Sequence, residues 1–223
     1  MQERFDFVII GAGPIGLACA IAARRSGLKA IVIEKGALVN SIVHYPTDLE
    51  FFSTPELLEI GGYPFPTRNY KPRRAEVIEY YRQVAFAEHI ELRLYERVIA
   101  VEGDADRFSI QTDKGAYACR RVIVATGFFD IPILMNVPGE DLPKVSHYYD
   151  EPFMYSGTRV AVIGGANSAA KTVLDLYRHG AKVTLIHRGP TLSRSVKYWI
   201  RPDLENRIKE GSIPARFDST VVS

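Results

Sequence analysis

The sequence predicts an α/β protein made of two parallel-sheet units. Three observations predict it. Near the N-terminus, "FDFVII" (Phe5 to Ile10), the turn "GAGPIG", the helical stretch "LACAIAARRS" and "KAIVIEK" (Lys29 to Lys35) follow one another. Strand, glycine turn, helix and strand within about thirty residues is the βαβ pattern. The same order recurs from Arg159 to Arg188. Both first strands are continuous apolar runs, as strands covered on both faces are.

The elements follow in order. The first helix ends at Gly27, a stop signal. Val39 to Pro72 is rich in aromatic residues, glycine and proline. A long stretch without regular structure is usually functional or disordered, and its aromatics argue against disorder. "RRAEVIEYYRQVAFAEH" (Arg73 to His89) is an amphipathic helix, and Leu92 to Tyr117, with turns at "GDADR" and "DKG", reads as an antiparallel meander. "RRVIVATG" (Arg120 to Gly127) is a further buried strand. Pro132, Pro138, Pro143 and Pro152 mark Pro132 to Phe153 as a connecting segment and a domain boundary. After the second βαβ unit, "LSRSVKYW" reads as a loop and "IRPDLENRIKEG" as a helix, and a further strand starts near the end of the chain.

Composition narrows the function. The 223 residues suit two small domains, and 47% apolar content is enough for real cores. A net charge of +2, with scattered basic residues, gives no footprint for nucleic acid or a membrane surface. The N-terminal apolar run stops at glycines and is no secretory signal, and no run approaches the roughly 20 residues of a membrane span. Cys19 and Cys119 form no CxxC, so neither a zinc site nor a dithiol is expected within this chain. The expected setting is a reducing cytoplasm.

Gly11, Gly13 and Gly16 form G-x-G-x-x-G. The first glycine permits the tight turn, the second admits a pyrophosphate, and the third lets helix and strand pack closely. Pro14 suits the first helical turn, where free N–H groups attract anions. Glu34 ends the second strand, where an acid accepts a ribose hydroxyl. The second turn has Gly164 and Gly165, with Ala166 at the second glycine position and Ala169 at the third. Ala166 crowds the approach of a pyrophosphate, and Asn167 and Ser168 offer side-chain hydrogen bonds there. The second strand ends at His187 and Arg188 in place of an acid. Arginine pairs with a 2′-phosphate, so this site is expected to take NADPH. Arg194 and Lys197 add charge nearby, whereas Lys171 reads as a solvated base. Two such sites in one chain suggest hydride passing between a soluble carrier and a bound flavin: FAD at the acidic site, NADPH at the basic one.

The chain as a whole resembles the two-dinucleotide-binding-domain flavoproteins, the class of thioredoxin reductases and flavin-containing monooxygenases. "GAGPIG" with Glu34 resembles their FAD fingerprint, "VIVATG" (Val122 to Gly127) their second FAD-contacting motif, and "GGANSA" with "HRG" their NADPH site. "IEKGALVNSIVHYPTDLEFFSTPELLEIGGYPF", "ATGFFDIP" and "SVKYWIRPDLENRIKEGSI" narrow the resemblance to the bacillithiol-disulfide-reductase type, which is thioredoxin-reductase-like without a CxxC pair. This resemblance implies two Rossmann-like three-layer ββα/αβ domains. They are an FAD-binding domain over 1–153 and an incomplete NADPH-binding domain over 154–223, without the C-terminal FAD segment.

The resemblance also implies the site residues. Around FAD stand Gly11, Gly13, Pro14, Ile15, Gly16, Glu34, Lys35, Asn40, Ser41, Ile42, Tyr45, Thr47, Ala125, Thr126 and Gly127, with the Val98 backbone toward adenine. Around NADPH stand Gly164, Gly165, Ala166, Asn167, Ser168, Ala169, His187, Arg188, Ser193, Arg194 and Lys197. No side chain is expected to act as a catalytic acid or base, and no metal is expected. The family carries a cysteine where this chain has Ile15, and isoleucine cannot form a mixed disulfide. Cys19, one turn further on, reads as buried and inert. The implied activity is an NADPH-dependent FAD oxidoreductase reducing a small molecule, such as bacillithiol disulfide, or a small redox protein. A flavin monooxygenase and a non-catalytic FAD- or NADP(H)-binding sensor stand as alternatives, and the analogy implies a homo-oligomer.

Overall fold

The N-terminal apolar run is buried on both faces, as its continuous pattern requires. In the computed structural model, which describes residues 4–223, it forms β1 (Arg4–Ile10). Val8 packs with Phe5, Ile31, Ile33, Ile110 and Cys119, while Ile9 packs on the other face with Ala12, Ala20 and Val32. The chain divides into two units, one ending at Pro132 and the other beginning at Ile133.

In the first unit β1 leads through the glycine turn into α1 (Pro14–Arg25) and β2 (Ala30–Ile33). A single helical turn, α2 (Asn40–Val43), and the longer α3 (Arg74–Ala87) follow. Then come β3 (Leu92–Arg93), β4 (Val98–Asp104), β5 (Arg107–Thr112) and β6 (Ala116–Val124). The six strands lie in the order β3-β2-β1-β6-β5-β4. The pairs β3–β2, β2–β1 and β1–β6 are parallel, and β6–β5 and β5–β4 are antiparallel.

The meander expected from Leu92 to Tyr117 is divided differently. β3 pairs parallel with β2, and left-handed Tyr95 (φ 55°) separates it from β4. At the other end no turn residue interrupts "AYACRRVIV", so the last meander strand and the expected strand after Arg120 are one element. Cys119 lies opposite Phe108 on one side and Phe5 on the other.

The aromatic segment between α2 and α3 is ordered by α3. The Tyr80 hydroxyl accepts from Ile60 N at 2.9 Å and donates to the Tyr63 carbonyl at 2.9 Å, and Tyr81 donates to the Leu58 carbonyl at 2.8 Å. Phe65 stacks on Tyr80 with centroids 4.3 Å apart. Glu88, just past α3, is buried and takes Arg25 and Tyr63. Arg25 above all holds its carboxyl below the usual range, against the opposing effect of burial.

The second unit has β7 (Arg159–Ile163), α4 (Asn167–Arg178), β8 (Lys182–Ile186), α5 (Arg201–Lys209) and β9 (Ala215–Arg216), with a parallel sheet in the order β7-β8-β9. Its core joins Val173 and Leu176 of α4, Val183 and Leu185 of β8, Leu204 of α5 and Ile213. Tyr149 donates to Asp175 on α4 at 2.5 Å; burial and then Asp175 push its hydroxyl well above the usual tyrosine range. Among the described residues no helix is long and apolar enough to cross a membrane.

Candidate functional site

Each unit carries its own glycine turn. In the first, Gly11 has φ 109°, a backbone open to glycine at little cost. A Cβ there would strike the Ala125 carbonyl, and one on Gly16 would strike the Gly11 carbonyl. Gly13 is different, because a Cβ on it would meet nothing within 4 Å. Two glycines are therefore required by packing, while the third leaves open backbone at the start of α1. Pro14 is the first residue of that helix.

Glu34 is buried beside the turn. Its Oε2 accepts from Ala12 N at 2.9 Å and its Oε1 from Gly36 N at 3.0 Å. The carboxylate thus holds the glycine turn and the end of β2 together. Each oxygen keeps a second lone pair. Ala125 N donates to the Ile10 carbonyl at 2.8 Å, which brings the Ala125–Gly127 turn beside Gly11.

A second carboxylate completes this cluster. Asp130 takes Lys35 Nζ at 2.5 Å and Ser41 Oγ at 2.9 Å. Burial pushes its carboxyl up, but Lys35 and Ser41 outweigh burial and hold it below the usual aspartate range. Asn40 accepts from Ala37 N at 3.1 Å, and Ile42 of the same short helix is buried. Tyr45 meets Phe129 edge-on with centroids 4.7 Å apart. Burial, then Asp130, raises the Tyr45 hydroxyl. The structure therefore gathers the glycine turn, Glu34, Lys35, Asn40, Ser41, Ile42, Tyr45 and Ala125 to Gly127. Thr47 is exposed beyond α2, and Val98 opens β4 and packs on the face of Phe5 and Val8.

Asp130 and Phe129 were missed by sequence reasoning. They stand in "ATGFFDIP", and an acid just past an apolar strand and its turn is the available signal. Ile15 is exposed. Cys19 is half-buried on α1, and Cys119 is buried, with burial raising its thiol above the usual range.

In the second unit Gly164 has φ 141°, and Gly164 N donates to the Ile186 carbonyl at 2.9 Å. A Cβ on Gly165 would overlap the His187 imidazole, which lies against it. The same ring lies against Gly189 and edge-on to Phe217, with centroids 6.5 Å apart. His187 thus packs between the two glycines. Ala166 and Ser168 are exposed at the start of α4, and Ala169 stands against Gly164.

The segment after β8 is fastened over this turn. Ser193 N donates to the Gly165 carbonyl at 2.8 Å. Asn167 Nδ2 donates to the Ser195 carbonyl at 2.8 Å, and its Oδ1 accepts from Lys197 N at 2.9 Å. Arg201, another residue missed in the sequence, donates to the Ser193 carbonyl at 2.5 Å. Arg188 and Arg194 are exposed and make no hydrogen bond or ion pair among the described residues. Lys197 is half-buried, with Nζ 5.9 Å over the Trp199 ring. The arrangement is a fixed glycine turn flanked by cations, where the first unit places a buried acid. Among the described residues no group of three or more His, Cys, Asp or Glu could hold a metal.

A family model described as pyridine nucleotide-disulphide oxidoreductase matches residues 8–223. The bacilliredoxin reductase Bdr of Bacillus subtilis (strain 168) is 45% identical over 215 residues, covering 96% of this chain and 66% of its own length. The solved bacillithiol disulfide reductase Bdr (YpdA) from Bacillus cereus is 42% identical with a TM-score of 0.95, over 98% of this chain and 69% of that one. The solved bacillithiol disulfide reductase Bdr (YpdA) from Staphylococcus aureus is 39% identical with a TM-score of 0.94, over 98% of this chain and 67% of that one. This chain thus spans about two thirds of the length of the curated relative.

Proposed function

The chain belongs to the pyridine nucleotide-disulphide oxidoreductase family, and on that premise we propose that it binds FAD in its first unit and NADPH in its second, as the cofactor-binding part of an NADPH-dependent flavoprotein reductase. One observation carries this reading: two glycine turns of the same design with opposite charge beside them. Buried Glu34 adjoins the first, and Arg188 and Arg194, without ion-pair partners among the described residues, flank the second.

The residues fit the two groups. Gly13 leaves open backbone at the start of α1, where free N–H groups suit a pyrophosphate. Glu34 fixes that turn through Ala12 N and keeps lone pairs for ribose hydroxyls. Lys35, Ser41 and Tyr45, tied through Asp130 and Phe129, form the flavin side of the cradle. In the second unit Gly164 and Ala169 shape the turn, and Arg188 and Arg194 pair with a 2′-phosphate. When bound, the two cofactors supply hydride transfer from nicotinamide to flavin and on to an acceptor. The protein binds, orients and excludes water.

The names of the relatives favour a disulfide as acceptor, either of a low-molecular-weight thiol such as bacillithiol or of a small redox protein. Neither thiol of this chain is exposed. Two free cysteines suit a reducing compartment, so the reading places the protein in the cytoplasm, as a homo-oligomer by family analogy.

The test is the visible spectrum of the purified protein under anaerobic conditions. A flavin band near ~450 nm, bleached faster by NADPH than by NADH, is expected. Protein that stays colourless with added FAD would remove the flavin site from this chain.

A further inference from the structure

The stretch from Leu192 to Ile200 has no regular structure, yet it is held at every fourth residue. Leu192, Val196 and Ile200 are all buried in the core of the second unit. Between these anchors the backbone is fastened to the glycine turn and to the first residue of α4. Asn167 makes two of those bonds at once, one as donor and one as acceptor, to backbone groups two residues apart. Among short side chains only a primary amide offers a donor and an acceptor side by side.

We infer that Asn167 is a positioning residue that sets the preference for NADPH over NADH by holding Arg194 in place. The inference rests on the reading that the second unit takes NADPH. Both amide atoms are engaged with the loop, so the side chain acts on the cofactor through that loop. Arg194 stands between the anchors, exposed and without an ion-pair partner among the described residues. Long cationic side chains lose rotamer freedom when they meet a phosphate, and a fixed backbone reduces the ordering that remains to be done. The 2′-phosphate distinguishes NADPH from NADH, so loosening the loop affects one dinucleotide and not the other. Arg188, two residues past β8, keeps its place without Asn167, because His187 N donates to the Arg216 carbonyl and Asp218 N to the Gly189 carbonyl on either side of it.

The experiment is calorimetric binding of adenosine 2′,5′-bisphosphate and of 5′-AMP to the purified protein. Wild type, Asn167→Ala, Arg194→Ala and the double variant are compared. Wild type binds the bisphosphate more tightly. Asn167→Ala weakens bisphosphate binding about tenfold, within the range of coupling between neighbouring polar groups, and leaves 5′-AMP unchanged. Because Asn167 acts through Arg194, the double variant is no weaker than the weaker single one. Equal losses for both ligands in Asn167→Ala, or single losses that multiply in the double variant, overturn the inference while the NADPH reading stands. A wild type that fails to distinguish the ligands overturns the reading and the inference with it. Asn167→Ser, polar but too short to reach both groups, replaces the alanine variant if that one does not fold.

Discussion

Asp130 shows how one side chain organises three segments distant in sequence. Its carboxylate joins Lys35 just past β2, Ser41 in α2 and its own turn after β6. The interaction is partly screened, since Lys35 is 31% exposed and Asp130 19%. Its importance is therefore geometric before it is energetic. Asp130→Asn removes the ion pair and keeps an acceptor for Ser41. The variant is expected to fold and to bind FAD several-fold more weakly, as read by flavin fluorescence in a dilution series. The acid side follows from the lowered carboxyl. A group with a depressed folded-state pKa contributes stability above its unfolded value and loses that contribution as pH falls through the folded value. For Asp130 the loss begins below the ordinary value of 3.8. Acid release of flavin is expected in that window in the wild type and is expected to lack this component in Asp130→Asn. Identical acid profiles would show that Asp130 does not hold the cradle.

The glycine turn behaves as an element in which each position has a separate reason. A Cβ on Gly16 would strike the Gly11 carbonyl, whereas one on Gly13 would meet nothing. Gly16→Ala is expected to cost about 1–3 kcal/mol by overpacking, seen as a lower denaturation midpoint. Gly13→Ala is expected to cost less than about 1 kcal/mol and, on the proposal that the pyrophosphate approaches the open backbone at Gly13, still to lose FAD. A Gly13→Ala protein that keeps its flavin affinity would place the phosphate elsewhere. This contrast also shows what the sequence discloses. The spacing of glycines, the continuous apolar strands and the helix after each turn follow from local pattern, and the structure has them at β1–α1–β2 and β7–α4–β8. The joining of the meander to the β1 partner in β6 was not legible, because a long strand serving two neighbours has no local signature. Nor was the Asp130–Lys35 pair, whose members are far apart in the chain. His187 was legible as the residue that ends the second strand, but its packing against Gly165 and Gly189 needed coordinates.

At the scale of the whole molecule, each unit has its own core and its own glycine turn. The second unit gathers its core from α4, β8, α5 and the anchors of the segment before α5. Leu204 of α5 is fully buried there. Arg201, one turn earlier on the same helix, bonds the Ser193 carbonyl and so connects α5 to the cationic segment. Leu204→Ala leaves a cavity in this core and is expected to cost about 2–5 kcal/mol. The loss belongs to the second unit, where native-state hydrogen exchange should rise in β7, α4, β8 and α5 while β1 and β2 keep their protection. Loosening α5 releases the Arg201 anchor, so the affinity for adenosine 2′,5′-bisphosphate should fall while the flavin absorbance of the first unit is retained. Loss of the flavin together with the nucleotide would show instead that the two units share one cooperative transition.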